Sequence, residues 1–188
     1  MPRGLKKETS GVCDRRGVMS NRRDKLTEQK KEFSTDREIN TLEEAMVGAD
    51  VFLGLSVKDV VTPEMIKSMA AKPIVFALAN PDPEIAYDKA VASRSDLIFA
   101  TGRSDYPNQI NNVIGFPYIF RGALDVHARA IIEEMKLAAV KAIAQLAKMP
   151  IPEIVNEVYH VSDLQFGPKY FIPKPVDPRL ITEVSAAV

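Results

Sequence analysis

Cysteine is almost absent from this chain. The single Cys13 has no partner for an internal disulfide, so a reducing cytoplasm is the expected compartment. No charge of one sign dominates: 25 Lys and Arg balance 25 Asp and Glu. A net charge of zero removes any general electrostatic case for nucleic acid or an anionic membrane. Long apolar runs are missing as well. The stretch Ile74 to Ala79 has the length of a buried strand, far short of the roughly 20 residues that span a bilayer. The opening residues Met1 to Glu8 are polar and contain no apolar targeting core.

Several chemical signatures are absent too. The two histidines, His127 and His160, lie far apart without ligand-spaced partners, which points to structural or surface roles rather than metal binding. No Gly-x-Ser-x-Gly, His-Glu-x-x-His or phosphate-loop pattern occurs, and there is no Gly-x-Gly-x-x-Gly. What remains is an ordinary globular composition, 46% hydrophobic and 27% charged, long enough for one domain with its own core.

The organisation divides near residue 40. Residues 1–40 carry Arg15, Arg16, Arg22, Arg23, Lys30 and Lys31 and read as a charged, weakly anchored segment. Within it, Val12-Cys13-Asp14 has the form of a short strand ending in a carboxylate, and Asp24 to Phe33 that of one polar helix. From residue 41 the pattern is regular. Thr41-Leu42-Glu43-Glu44 is a capping box, and Gly48 stops the helix it opens. Thr62-Pro63-Glu64 opens a helix expected to reach about Ala71, and Asp82-Pro83-Glu84 is expected to cap a third. Between them, Asp50 to Gly54, Pro73 to Ala79 and Asp96 to Ala100 are apolar stretches of strand length. Continuous rather than alternating hydrophobicity predicts parallel strands covered on both faces. Strand and helix alternating at this spacing predict an α/β, doubly wound parallel sheet. Beyond a loop at 102–117, helices are expected over about 118–128, 130–148 and 152–158, with a last one starting at Asp177-Pro178-Arg179.

In open parallel sheets, ligands sit just past the carboxyl ends of the strands. That rule selects Asp14, the Gly54-Leu55-Ser56 turn, Asn80 and the loop after Thr101. Asn80 stands between a buried strand and two prolines, and its amide offers both a donor and an acceptor. Asn108, Gln109, Asn111 and Asn112 place four amides within five positions. Ligand orientation and the capping of following turns are equally compatible with that cluster. Asp14 has the position of the acid that takes ribose hydroxyls in dinucleotide folds. Arg15 and Arg16 beside it suit a 2′-phosphate instead.

Phe76-Ala77-Leu78-Ala79-Asn80-Pro81 with Glu84, Ala100 to Gln109, and Asn111-Asn112-Val113-Ile114-Gly115-Phe116-Pro117 resemble malic enzymes, closest to the bacterial type. Phe120 to Val126, Glu133 to Ala139, Phe166-Gly167, Ile172 to Pro175 and Asp177 to Leu180 extend the match. In the first forty residues it runs through Gly4 to Glu8 and Cys13 to Val18. The resemblance implies oxidative decarboxylation of malate to pyruvate and CO₂ with NADP or NAD, NADP being the expected choice. It also implies Mg²⁺ or Mn²⁺ in the complete enzyme, which is expected to form a homo-oligomer. By position it assigns Asn80 and Asn112 to substrate and nicotinamide, with Asn111 beside them. Gly54 and Ser56 fall at the cofactor-facing turn, and Asp14 and Arg15 at the second-strand carboxylate region.

The family's proton-transfer Tyr and Lys, its metal-binding acids and its Gly-rich loop precede the region matched here. The resemblance therefore implies an incomplete Rossmann-like sheet lacking its first strand and Gly-rich loop, with a helical C-terminal part. No catalytic or metal-binding residue is expected within residues 1–188. The 41–188 portion is expected to form the cofactor-domain remnant, with an apolar edge at Asp50 to Gly54 and no activity of its own. The alternative is a non-catalytic module that associates with a partner chain.

Overall fold

A computed structural model describes residues 9–188; the match at Gly4 to Glu8 lies outside the described residues. The central element is a three-stranded parallel sheet in the order β3–β4–β5, formed by Val51–Gly54, Ile74–Ala77 and Ile98–Thr101. The helices α3 (Pro63–Ser68) and α4 (Tyr87–Ser93) carry the chain between its strands. The register is even. Gly54 pairs with Ala77 and Ala77 with Thr101, so all three strands end flush at the carboxyl edge.

Local chemistry explains where the helices begin. Helix α2 (Leu42–Met46) opens on the expected capping box: the Thr41 hydroxyl accepts from the Glu44 amide at 3.1 Å, and the Glu44 carboxylate accepts from the Thr41 amide at 3.3 Å. Gly48 follows it at φ +68°. The Thr62 hydroxyl accepts from the Met65 amide at 3.3 Å, and Pro63 fills the first helical position of α3. That helix ends at Ser68, short of Ala71, because Met69 turns extended at ψ 166°.

One face of the sheet is covered. Met46, Val61, Met65, Ile66 and Met69 pack on Phe52, Val75, Ala77 and Phe99. The expected burial of both faces does not hold for β3: Phe52 points inward, whereas Val51 and Leu53 are 56% and 57% exposed. This strand is also one of the two edges of the sheet. On the same sheet, Phe76 stacks on Phe171 with ring centroids 5.7 Å apart.

A second core lies among the C-terminal helices α5 (Phe116–Asp125), α6 (Glu133–Leu146) and α8 (Arg179–Ala187), built on Ile114, Ala139, Leu146, Leu180 and Val184. A shorter helix, α7, spans Glu153–Tyr159. Gly122 lets α5 approach α8 closely: a Cβ there would stand 2.5 Å from the Ser185 carbonyl oxygen.

The described N-terminal residues form their own small unit. Strand β1 (Cys13–Asp14) pairs antiparallel with β2 (Gly17–Val18). The short strand expected at Val12 to Asp14 is therefore one arm of a hairpin and not a member of the parallel sheet. The turn explains the difference. The Arg16 amide donates to Asp14 at 2.9 Å, and Gly17 adopts φ +98°, which reverses the chain two residues after the carboxylate. Val18 and Met19 are buried, and the Val18 amide donates to the Asn40 carbonyl at 2.8 Å. The polar helix of this region, α1, is confined to Glu28–Glu32 and capped by Thr27. Among the described residues no helix is long and apolar enough to cross a membrane.

Candidate functional site at the carboxyl edge of the sheet

Because the strands end flush, the segments after Gly54, Ala77 and Thr101 share one rim. Ser56 lies two residues past β3, Asn80 three residues past β4, and the Asn-rich loop starts at the end of β5. The first two turns are tied together by Glu84. This side chain is fully buried and accepts from the Ser56 amide at 2.8 Å, the Ala79 amide at 3.0 Å and the Ser56 hydroxyl at 3.4 Å. Gly54 makes the arrangement possible, since a Cβ there would fall 2.4 Å from the Glu84 carboxyl carbon.

Asp82-Pro83-Glu84 thus does not cap a helix as expected, and Glu84 turns inward. Helix α4 starts at Tyr87 with Ala86 before it and no side-chain cap. The two turns present three donors to the carboxylate, the Ser56 and Ala79 amides and the Ser56 hydroxyl, and these draw it inward instead. A capping acid and an inward-turned acid look alike in local sequence. The visible signal was Glu84's place in the stretch that resembles malic enzymes.

The four amides after β5 divide by role. Asn108, 2% exposed and at φ +47°, donates to the carbonyls of Phe99 at 3.0 Å and Pro168 at 2.7 Å. It also accepts from the Phe171 amide at 3.0 Å. It is a structural tie between β5 and residues 166–171. Gln109 bridges to Thr101, and the Ile110 amide donates to the Thr101 carbonyl at 2.8 Å, folding the loop back onto the strand end. Asn111 caps a 3₁₀ turn at Asn112–Ile114 by accepting from the Val113 amide at 3.0 Å. The capping reading therefore describes Asn111, whereas Asn108 ties distant segments together. Asn112 and Asn80 are exposed, and neither side chain hydrogen-bonds to a described residue.

A cleft of about 290 Å³ opens beside these turns, lined by Lys58, Asp59, Asp82, Pro83, Arg103 and Tyr106. Its walls are the segments after all three strands. The Arg103 guanidinium forks onto Asp105 at 2.8 and 2.9 Å and lies 5.6 Å over the Tyr106 ring, which stacks on Tyr87. This pairing holds the Asp105 carboxyl below its ordinary range. None of Gly54, Ser56, Asn80, Asn111 or Asn112 lines the cleft itself.

Asp14 and Arg15 stand apart from this rim in the N-terminal hairpin. Asp14 accepts from Lys30 Nζ at 2.6 Å, from Arg23 at 2.9 Å and from the Arg16 amide, and the Lys30 bond is the first cause of a carboxyl held well below its usual range. Arg15 is exposed and hydrogen-bonds to no described residue. Burial and the neighbouring Asp14 push the Cys13 thiol up, away from thiolate reactivity. His127 and His160 occupy exposed, left-handed positions near helix ends, at φ +50° and +51°. Among the described residues no group of three His, Cys, Asp or Glu side chains is placed to hold a metal ion.

Comparison with known proteins agrees with this geometry. A family model described as the NAD-binding domain of malic enzyme matches residues 6–164. The NADP-dependent malic enzyme of Halomonas elongata is 51% identical over 185 residues, covering 98% of this chain and 44% of that protein. The NADP-dependent malic enzyme of Escherichia coli (strain K12) is 53% identical over 187 residues, covering 98% of this chain and 25% of the relative. Among solved structures, the Entamoeba histolytica malic enzyme superposes with a TM-score of 0.83 at 35% identity, over 98% of this chain and 37% of that one. The chain thus spans less than half the length of these relatives. On this match and this sheet architecture, the chain belongs to the family of malic enzyme NAD-binding domains.

Proposed function

We propose that this chain supplies part of the nicotinamide-cofactor site of a malic enzyme, which oxidises malate and releases pyruvate and CO₂. The observation that carries the reading is the flush rim, where Glu84 fixes the Gly54–Ser56 turn against the turn that presents Asn80. Exposed amides at Asn80 and Asn112 can donate to and accept from a carboxamide or a carboxylate without adding charge. Rigid turns keep the cost of orienting the reactants low. When bound, the nucleotide supplies hydride acceptance at its nicotinamide ring. This chain's residues bind and orient. The metal implied by the family finds no fitting set of side chains among the described residues.

NADP is the favoured cofactor. Asp14 is already engaged by Lys30, Arg23 and the Arg16 amide, whereas Arg15 is free to pair with a 2′-phosphate. The test is calorimetric titration of the chain with NADP⁺ and NAD⁺. Saturable binding, tighter for NADP⁺ and weakened by Arg15→Ala or Asn112→Ala, is the expected result. Absence of binding to either nucleotide would refute the reading. Malate turnover by this chain with added Mn²⁺ is expected to be nil.

A second reading is favoured by one observation, the exposed apolar edge at Val51 and Leu53. Such an edge invites pairing with another strand, from a partner chain or from a second copy in a homo-oligomer. Size-exclusion chromatography giving a stable monomer across a wide concentration range would count against association through it.

A further inference from the structure

Glu84 raises a question that its hydrogen bonds alone do not answer. Every side-chain partner it has is a donor: two backbone amides and one hydroxyl. No lysine or arginine pairs with it among the described residues, although it is fully buried. Burying a carboxylate without a countercharge is costly, but each of its two oxygens takes one amide, which a carboxamide with a single oxygen could not do. The charge also sits directly behind both rim turns, since one oxygen takes the Ser56 amide and the other the Ala79 amide, one residue before Asn80. The carboxylate occupies the space that a side chain at Gly54 would fill, with its carboxyl carbon 2.4 Å from where a Cβ would stand.

We infer that Glu84 is a positioning residue of the cofactor site that fixes Ser56 and Asn80 relative to each other, and that its charge favours the oxidised nicotinamide over the reduced one. The inference rests on the cofactor reading above. The oxidised ring carries a positive charge and the reduced ring is neutral. A fixed negative charge behind the turns therefore attracts only the first, and the weak screening of a buried charge preserves the difference.

The experiment titrates the wild-type chain and Glu84→Gln with NADP⁺ and with NADPH, by calorimetry and by amide chemical shifts. Glu84→Gln removes the charge and keeps one accepting oxygen. Its NH₂ faces the other amide, a loss common to both cofactor forms, so the difference between the two forms reads the charge. It is expected to weaken NADP⁺ binding about tenfold and NADPH binding by clearly less, so that the affinity ratio moves at least roughly threefold toward NADPH. Equal losses for the two forms, or none, would overturn the inference. If Glu84→Gln does not fold, the wild-type chain still decides. The Ser56 and Ala79 amides, bonded to the carboxylate, are expected to shift by different amounts with the two cofactor forms. Identical shifts, or shifts confined to Asn111 and Asn112, would overturn the role of Glu84. No shift anywhere with either nucleotide would instead refute the cofactor reading itself.

Discussion

Replacing Asn108 by aspartate changes one NH₂ group to oxygen and should cost several kcal/mol. Asn108 donates two bonds, to the Phe99 carbonyl at 3.0 Å and the Pro168 carbonyl at 2.7 Å, and accepts one from the Phe171 amide. N108D keeps the third bond and the tolerance for φ +47°, but turns an anionic acceptor toward two carbonyl oxygens. Each carbonyl left without its donor costs about 1–3 kcal/mol, so about 4 kcal/mol is expected in all. That is a large part of the roughly 5–15 kcal/mol that holds a domain together. The sign with pH follows from the same contacts. Two facing carbonyls disfavour the charged carboxylate, so the folded pKa in N108D lies above its unfolded value. Protonation restores one donor. The contribution is fully present below the unfolded carboxyl range and is lost as pH rises through the folded value, so N108D should approach wild type as pH falls toward 4. Urea unfolding of both proteins at pH 7 and pH 5 measures this. A difference below about 1 kcal/mol at pH 7, or a larger gap at pH 5, would refute the reasoning.

Gly54→Ala should push the Glu84 carboxylate off the Ser56 and Ala79 amides and destabilise by about 3 kcal/mol, read by urea unfolding; a change under about 1 kcal/mol would show that the carboxylate relocates freely. Tyr170, 1% exposed, has its phenol pushed up to about 12 by burial and then by Asp177. Its folded value lies above the unfolded one, so its stabilising contribution is whole below about pH 10 and fades as pH rises toward 12, and alkaline ultraviolet titration should show one tyrosine ionising last. Asp14 has the opposite sign. Its carboxyl is held low by Lys30, then the Arg16 amide, so its contribution is present above the unfolded carboxyl range and fades in stronger acid. With solvent nearby, Asp14→Asn should cost at most about 1 kcal/mol at pH 7 and clearly less at pH 2, by thermal unfolding.

Much of the architecture was legible in order along the chain, because its causes are local. The Thr41–Glu44 box, the Thr62-Pro63 start and the apolar runs at β3, β4 and β5 act over a few residues, and each appears where its chemistry requires. Helices α5 to α8 follow the same logic, with ends shifted by a few residues from those expected. The rim of turns was legible as well, since strand ends fix where it must lie.

What only the tertiary structure decided are the partners of polar side chains across distance. Asn108 reaches residues 60 and 63 positions away, and Glu84 reaches 28 positions back to Ser56. Asp14 is neutralised by Arg23 and Lys30, 9 and 16 positions on, and its strand closes a hairpin rather than joining the sheet. A side chain's type states how many bonds it can make. Which buried donors and acceptors are left wanting those bonds is settled only when distant backbone segments have packed and lost their water.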